Sequence, residues 1–181
     1  MPATGVGVAE WSKILFSTVS WRNERATFSA SASEGFPTPA VLVFPFYGDK
    51  IVLAEIPGRG WCIPSGRREP GETNEAAARR EAFEEAGLTL GRMICLGHFV
   101  LTDTKTGAVR HAPTFIADVQ GLAEIPKGSE STGRLLANTE DIAGLYYAWD
   151  ALLAAVFENA VAAKAHLLTA GTSLSEFTRA Q

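Results

Sequence analysis

GRREPGETNEAAARREAFEEAGL, residues 66–88, is the stretch from which the rest of the chain can be read. Thr73 to Ala86 contains neither Pro nor Gly and is rich in Ala, Glu and Arg, which favour a helix. Thr73 supplies an N-cap oxygen, Glu75 sits in the first turn where the helix dipole favours an anion, and Gly87 is a natural stop. On that helix Glu81, Glu84 and Glu85 stand at i, i+3 and i+4, so three carboxylates project from one face. Ala76, Ala77, Phe83 and Ala86 are left to pack on its other sides. Three neighbouring carboxylates repel one another, and a hard divalent cation with oxygen ligands, Mg²⁺ or Mn²⁺, removes the conflict.

Written as G-x5-E-x7-R-E-U-x-E-E-x-G-U, with U apolar, the stretch resembles the box of the Nudix hydrolases at every position, with Ala82 small for its apolar place. Seven fixed positions at average residue frequencies coincide by chance about once in 10⁸ starting points. A solvated acidic helix face would explain the charges but neither the glycines nor the spacing. The resemblance implies an α/β fold, a Nudix-type α/β/α sandwich with a mixed central sheet and a loop–helix–loop catalytic motif. It also implies divalent-metal-dependent hydrolysis of a phosphoanhydride bond in a nucleoside diphosphate linked to another moiety. An alternative is a Nudix-fold module that senses a nucleotide without turnover; another is an oligomerising protein with a vestigial site.

By the same resemblance Glu81, Glu84 and Glu85 are expected as metal ligands, joined by the main-chain carbonyl of Ser65. Glu72 and Arg80 are expected as an ion pair tying the loop to the helix, and Arg80 can also reach Glu84 at i+4. Glu140, at the end of a long polar connection, is a candidate extra ligand or general base. Arg59, Arg67 and Arg68 flank the loop before the helix and are candidates for steadying phosphates. His98, His111 and His166 show no ligand spacing, although His111 with Arg110 could face the cleft. The signatures of ADP-ribose, diadenosine polyphosphate, NADH and coenzyme A enzymes are absent, which leaves a nucleoside triphosphate as the leading substrate.

Composition narrows the setting. The chain has 181 residues, 46% hydrophobic, enough for one sizeable core. A net charge of -4 offers no basic footprint for nucleic acid, so the expected partner is a small-molecule nucleotide. Cys62 and Cys95 read as buried free thiols of a reducing compartment. The first residues lack a basic start and an apolar stretch, and no apolar run approaches membrane-spanning length. A cytoplasmic protein is expected.

Three segments are expected: an N-terminal arm over residues 1–36, a Nudix domain over 37–168 and a polar tail over 169–181. In the arm, Trp11 to Trp21 reads as a strand paired with Arg25 to Ala30, and Trp11, Phe16 and Trp21 could build a two-fold interface in a homodimer or fold back on their own domain. In the domain, Ala40 to Phe46 and Ile51 to Ile56 form a hairpin, with Trp61 to Ile63 as a short strand. Met93 to Leu101 and Val109 to Val119 read as two more strands, with Pro113 at a bulge or an edge. Gln120 to Thr139 reads as irregular and Ile142 to Ala148 as a last strand. Asp150 caps a closing amphipathic helix that carries Leu153, Val156, Phe157, Ala160, Val161 and Leu167.

Overall fold

Alternation of side chains along two neighbouring strands sets the layers of the molecule. In the computed structural model, which describes residues 16–169, β3 (Ala40–Tyr47) turns Val41 and Val43 to one face and Phe44 and Phe46 to the other. β4 (Lys50–Ile56) does the same with Val52 and Ala54 against Ile51 and Leu53. Both faces are apolar, so each must be covered. α1 (Asn74–Ala86) covers the valine face and α3 (Ala151–Thr169) the phenylalanine face, giving the expected α/β/α sandwich.

The other strands are β1 (Val19–Trp21), β2 (Glu24–Ser29), β5 (Gly60–Cys62), β6 (Ser65–Arg67), β7 (Leu88–Asp103), β8 (Val109–Leu122) and β9 (Gly133–Ala137). Seven of the nine run in the order β1-β2-β7-β8-β3-β4-β5, with β6 paired to β3 and β9 to β4. The β3–β8 pairing is parallel and the other ladders are antiparallel, so the sheet is mixed. β3 pairs with β4 only at the hairpin end, Phe46 opposite Ile51, and with β6 at its other end, Val41 opposite Gly66. This splaying opens the sheet where the box residues arrive.

Several expectations are corrected. Ile142 to Ala148 is not a strand: α2 (Ile142–Leu145) is a single helical turn, followed by one bridge between Trp61 and Tyr146. Ile142, Leu145 and Tyr146 meet the core at helical spacing, which a short apolar run does not reveal in advance. Conversely β9 lies inside the connection read as irregular, and its register from Ala137 opposite Ile51 to Gly133 opposite Glu55 makes it an edge strand with one partner. Pro113 stands opposite His98, beside the irregularity between Cys95 and Gly97 and one residue before the parallel ladder with β3 begins at Thr114, so it has a strand partner on one side only. Cys95 is exposed, whereas Cys62 is a buried free thiol.

The N-terminal strands are part of the sheet. β2 pairs with β7 over six residues, from Glu24 opposite Asp103 to Ser29 opposite His98. Phe16 packs on Phe28 at 4.9 Å and Trp21 on Phe99 at 5.4 Å between ring centroids. Two of the aromatics considered for a dimer interface are thus used within their own chain; Trp11 lies outside the described residues. Asp150 caps α3, its Oδ1 accepting from the Leu153 N–H at 2.8 Å, while its Oδ2 accepts from Trp21 Nε1 at 2.6 Å. Among the described residues no helix is long and apolar enough to cross a membrane.

Candidate active site

α1 begins and ends as its sequence dictates. Thr73 Oγ1 accepts from the Ala76 N–H at 3.1 Å, and Gly87 closes the helix in the left-handed conformation at φ 65°. The helix packs through Ala77, Ala78, Ala82 and Ala86, all fully buried, and not through Ala76 and Phe83, which are exposed. Ala82 is small because the backbone lies close on Val41, Val43 and Val52. That alanine ridge carries Glu81 and Glu85 down with it, leaving them 9% and 7% exposed, while Glu84 stays in solvent. The three carboxylates are therefore not equivalent.

β6 meets them. A Cβ on Gly66 would collide with the Glu81 carboxylate, so the glycine is the cradle in which that carboxylate lies. The Ser65 N–H donates to Glu85 Oε2 at 2.9 Å. A residue's N–H and C=O point to the same side of an antiparallel ladder, so the Ser65 carbonyl also faces α1.

Arg80 is the hub of the remaining charges. Its Nε and Nη2 donate to the two oxygens of Glu72, both at 3.0 Å. Nη1 donates to Glu81 Oε1 at 2.8 Å and to Glu84 Oε2 at 3.0 Å, and Nη2 also to the Arg67 carbonyl at 2.8 Å. Glu72 in turn accepts from the Glu69 N–H at 2.9 Å. One guanidinium thereby fixes the loop to the helix by a bidentate pair and shares its single charge with two further carboxylates.

The electrostatics follow from this geometry. Bonding to Arg80, then to the Glu69 N–H, holds Glu72 below its ordinary value. Burial pushes Glu81 up in spite of Arg80. Burial pushes Glu85 up to about 7, with repulsion from Glu81 adding and the Ser65 N–H opposing. Glu72 is a fixed anion, whereas Glu81 and Glu85 are carboxylates short of cationic charge.

Glu81, Glu84 and Glu85 line one end of a cleft of about 990 Å³, the size of a nucleotide site, while Glu72 and Arg80 stand behind them outside its lining. Of the residues singled out by sequence, Ser65, Glu81, Glu84, Glu85, Arg59 and Arg67 line it. Arg59 is close enough to oppose the upward shift of Glu85. Arg68 instead donates to the Glu72 carbonyl at 3.2 Å and serves the loop. Glu140 is not brought to the cleft: it is exposed on the 3₁₀ turn Thr139–Asp141 after β9, beyond Ala137 at the hairpin end of β4. The acid that does line the cleft from that connection is Glu130, whose charge also raises Glu85. His111 is not a cleft residue either; it is stacked between Phe36 and His98 at 4.4 and 4.2 Å. Its neighbour Arg110 is one, as are Trp21 and Glu24. Trp21 and Glu24 carry no motif, and only the strand pairing could have placed them.

The donor set fits a hard divalent cation by its chemistry, being carboxylate and carbonyl oxygen throughout, and the buried Glu81 and Glu85 gain from an added positive charge. Among the described residues no three acidic side chains already form a cage, since Arg80 holds Glu81 and Glu84 while the Ser65 N–H holds Glu85.

Known proteins resemble this chain in sequence and in fold. A family model described as NUDIX domain matches residues 36–168. The Bacillus subtilis protein YtkD, provisionally named an 8-oxo-dGTP diphosphatase, is 31% identical over 90 residues, 50% of this chain and 56% of YtkD. The chain thus spans little more than half the length of that relative. The B. subtilis pyrophosphohydrolase BsRppH has a similar structure, with TM-score 0.67 and 22% identity over 79% of this chain and 94% of that one. A NUDIX hydrolase from Nitrosomonas europaea follows with TM-score 0.57 and 23% identity over 71% and 90% of the two chains.

Proposed function

Because this chain belongs to the Nudix family, we propose that it hydrolyses a phosphoanhydride bond in a nucleoside diphosphate derivative, with a nucleoside triphosphate as the leading substrate. The observation that carries this reading is the pair of buried carboxylates, Glu81 and Glu85, held against Gly66 and Ser65 at the mouth of a nucleotide-sized cleft. Burying two acids side by side costs stability unless a cation joins them.

Glu81, Glu84, Glu85 and the Ser65 carbonyl would hold Mg²⁺ or Mn²⁺. A divalent ion there would neutralise phosphate oxygens and acidify a bound water. Glu72 and Arg80 are positioning residues, fixing loop to helix so that the carboxylates keep register. Arg59 and Arg67, with Lys127 from the cleft loop, supply positive charge for the phosphates. Glu130 is the cleft carboxylate that neither an arginine nor a main-chain N–H holds, and it takes the proton from the attacking water. The water oxygen bonds to phosphorus as the bridging P–O bond breaks, and the released phosphate or pyrophosphate carries away the electron pair.

Release of phosphate and pyrophosphate from a panel of nucleotides with Mg²⁺ tests the reading, with 8-oxo-dGTP included because YtkD is a relative. Turnover of at least one nucleotide that stops in excess chelator is expected. Undiminished turnover in chelator would overturn the metal-dependent mechanism. Tight binding with no turnover of any nucleotide would make the protein a sensor.

A further inference from the structure

The connection between β8 and β9, residues 123–132, is fastened at both ends and lines the cleft through its middle. At its start it meets the C-terminus of α1. Leu88 stands opposite Leu122 where β7 begins, so Ala123, the next residue, lies beside Gly87. The Ala123 N–H donates to the Gly87 carbonyl at 2.8 Å. At the other end the Thr132 N–H donates to the Glu55 carbonyl at 2.9 Å, and Thr132 Oγ1 to Glu55 Oε2 at 3.1 Å. Between these anchors Pro126 to Glu130 line the cleft, turned by a bond of 3.1 Å from the Ser129 N–H to the Pro126 carbonyl with Gly128 at φ 89°. The Ser131 N–H closes on Ser129 Oγ at 3.0 Å. The segment is a strap with two fixed ends, and it presents Lys127 and Glu130 to the cleft.

One side chain joins the strap to the helix. Arg134 stands opposite Ala54 across the β4–β9 ladder, so it emerges on the face that α1 covers. Its Nη1 donates to the Ala86 carbonyl at 2.7 Å and to the Ala123 carbonyl at 2.8 Å. Helix geometry explains the first bond. The last carbonyls of a helix lack partners within it, and α1 has no basic residue in its last turn. Arg134 supplies that cation from a strand. The second bond extends the same nitrogen to the strap, one hydrogen for each carbonyl.

Gly87 completes the joint. Its φ of 65° favours glycine, and space demands glycine as well: a Cβ there would sit 2.5 Å from the Ala123 carbonyl oxygen and 3.1 Å from Arg134 Nη1. The residue that stops the helix is also the seat of the strap. Glu85 directly precedes the Ala86 whose carbonyl Arg134 holds. Glu130 lies near enough across the cleft for its charge to oppose ionisation of Glu85. The spacing between the strap's charged groups and the helix carboxylates therefore runs through this joint.

We propose that Arg134 is a positioning residue, which fixes the strap carrying Lys127 and Glu130 to the C-terminus of the helix carrying Glu81, Glu84 and Glu85. This role rests on the reading of the cleft as a hydrolase site, in which Lys127 meets phosphates and Glu130 takes a proton. Arg134 does not itself line the cleft. It acts by holding two parts of the site at one distance, and a misplacement of about 1 Å at a reacting group costs about a hundredfold in rate.

Two mutant cycles on the full chain test this role, one on binding and one on turnover. Both use Arg134→Met, which keeps bulk and removes the donors. The first measures, by calorimetry with Mg²⁺, the affinity for a nucleoside triphosphate analogue with methylene bridges at both anhydride positions. Arg134→Met and Lys127→Ala should each weaken binding by about threefold to tenfold, and the double variant should be within about twofold of Lys127→Ala alone. In the second, Arg134→Met and Glu130→Gln should each lower kcat by about tenfold or more, and the double variant should be within about twofold of Glu130→Gln. Arg134→Lys, whose ammonium can still bridge two carbonyls, should restore most of both losses. If Arg134→Met does not fold, Arg134→Gln takes its place in both cycles. Coupling in either cycle supports the role. Additive losses in both would reduce Arg134 to a helix cap and overturn it, as would wild-type affinity and kcat in Arg134→Met. A Glu130→Gln enzyme of normal rate would instead remove Glu130 as the base of the proposed mechanism, and the binding cycle would still decide for or against Arg134. Binding of the analogue by a protein that hydrolyses nothing would sink the proposed hydrolysis and leave that same cycle to decide.

Discussion

The two ends of the cleft are built in opposite ways. The acidic end comes from 24 consecutive residues, Ser65 to Leu88, whose strand, turn, cap and helix bring their own partners together. The far end is assembled from Trp21, Glu24, Phe99 and Arg110, which meet only because β2 pairs with β7 and β7 with β8. The acidic end is fixed by charges that must be held apart or neutralised, the far end by a stacked aromatic and one ion pair. Local construction holds chemistry constant while substrate contacts vary on distant strands. Damage to the acidic end should therefore abolish turnover, and damage to the far end should act on the binding of whatever occupies the cleft there.

The largest effect is expected from Glu85→Gln, which keeps shape and removes charge. It should lower kcat by about 10²- to 10³-fold in Mg²⁺ with little loss of folding, as steady-state kinetics and circular dichroism will show. A normal rate would mean that Glu85 holds no metal.

Gly66→Ala should come next. The added methyl displaces the Glu81 carboxylate, the movable end of a side chain, so stability should change by no more than about 1 kcal/mol. Activity should fall by about tenfold to a hundredfold, because a ligand is displaced. Equal losses in rate and melting temperature would show the glycine to be a packing residue only.

Arg80→Ala separates positioning from ligation. It strips the cation from Glu72, Glu81 and Glu84 at once and should cost about 2 kcal/mol as well as turnover. Glu81→Gln should be within about 0.5 kcal/mol of wild type without metal, since it removes an underneutralised charge. Mg²⁺ should then raise the melting temperature of wild type more than that of Glu81→Gln.

The smallest effect is a pH dependence. Glu85 rises from its ordinary 4.5 to about 7 in the folded, metal-free protein, so between those values the native state holds a proton that the unfolded chain has released. Its contribution to stability is fully present below about 4.5 and is lost as pH rises through about 7. Melts of chelator-treated protein should show this decline, and Mg²⁺ should flatten it by favouring the ionised carboxylate. An unchanged slope in Glu85→Gln would assign the titration to another group.

The acidic end was legible because its information is local: Thr73 caps, Gly87 stops, and three glutamates at helical spacing share a side. Their inequality was not legible, since it depends on which alanines touch Val41 and Val43, a tertiary fact. The sandwich was expected from the resemblance that the box carries, and the structure supplies its reason in β3 and β4, which are apolar on both faces. Glu140 was singled out because it ends a long polar connection, but β9 folds inside that connection and carries Glu140 away, leaving Glu130 at the cleft. The far end was out of reach because Trp21 and Arg110 have no spacing in sequence that expresses their register across four strands.

The hydrogen bond between Trp21 and Asp150 also sets an order of events at the ribosome. Its partners are 129 positions apart, and β2 cannot find Asp103 until roughly eighty further residues exist. At a synthesis rate of about 5–20 residues per second, Trp21 waits roughly 6–26 s for its acceptor, far longer than a hairpin needs to form. During that interval β1 and β2 carry an exposed tryptophan and an unpaired strand edge, the features that attract chaperones or other nascent chains. Trp21 is thus among the first of the described residues to be made and among the last to be locked in place.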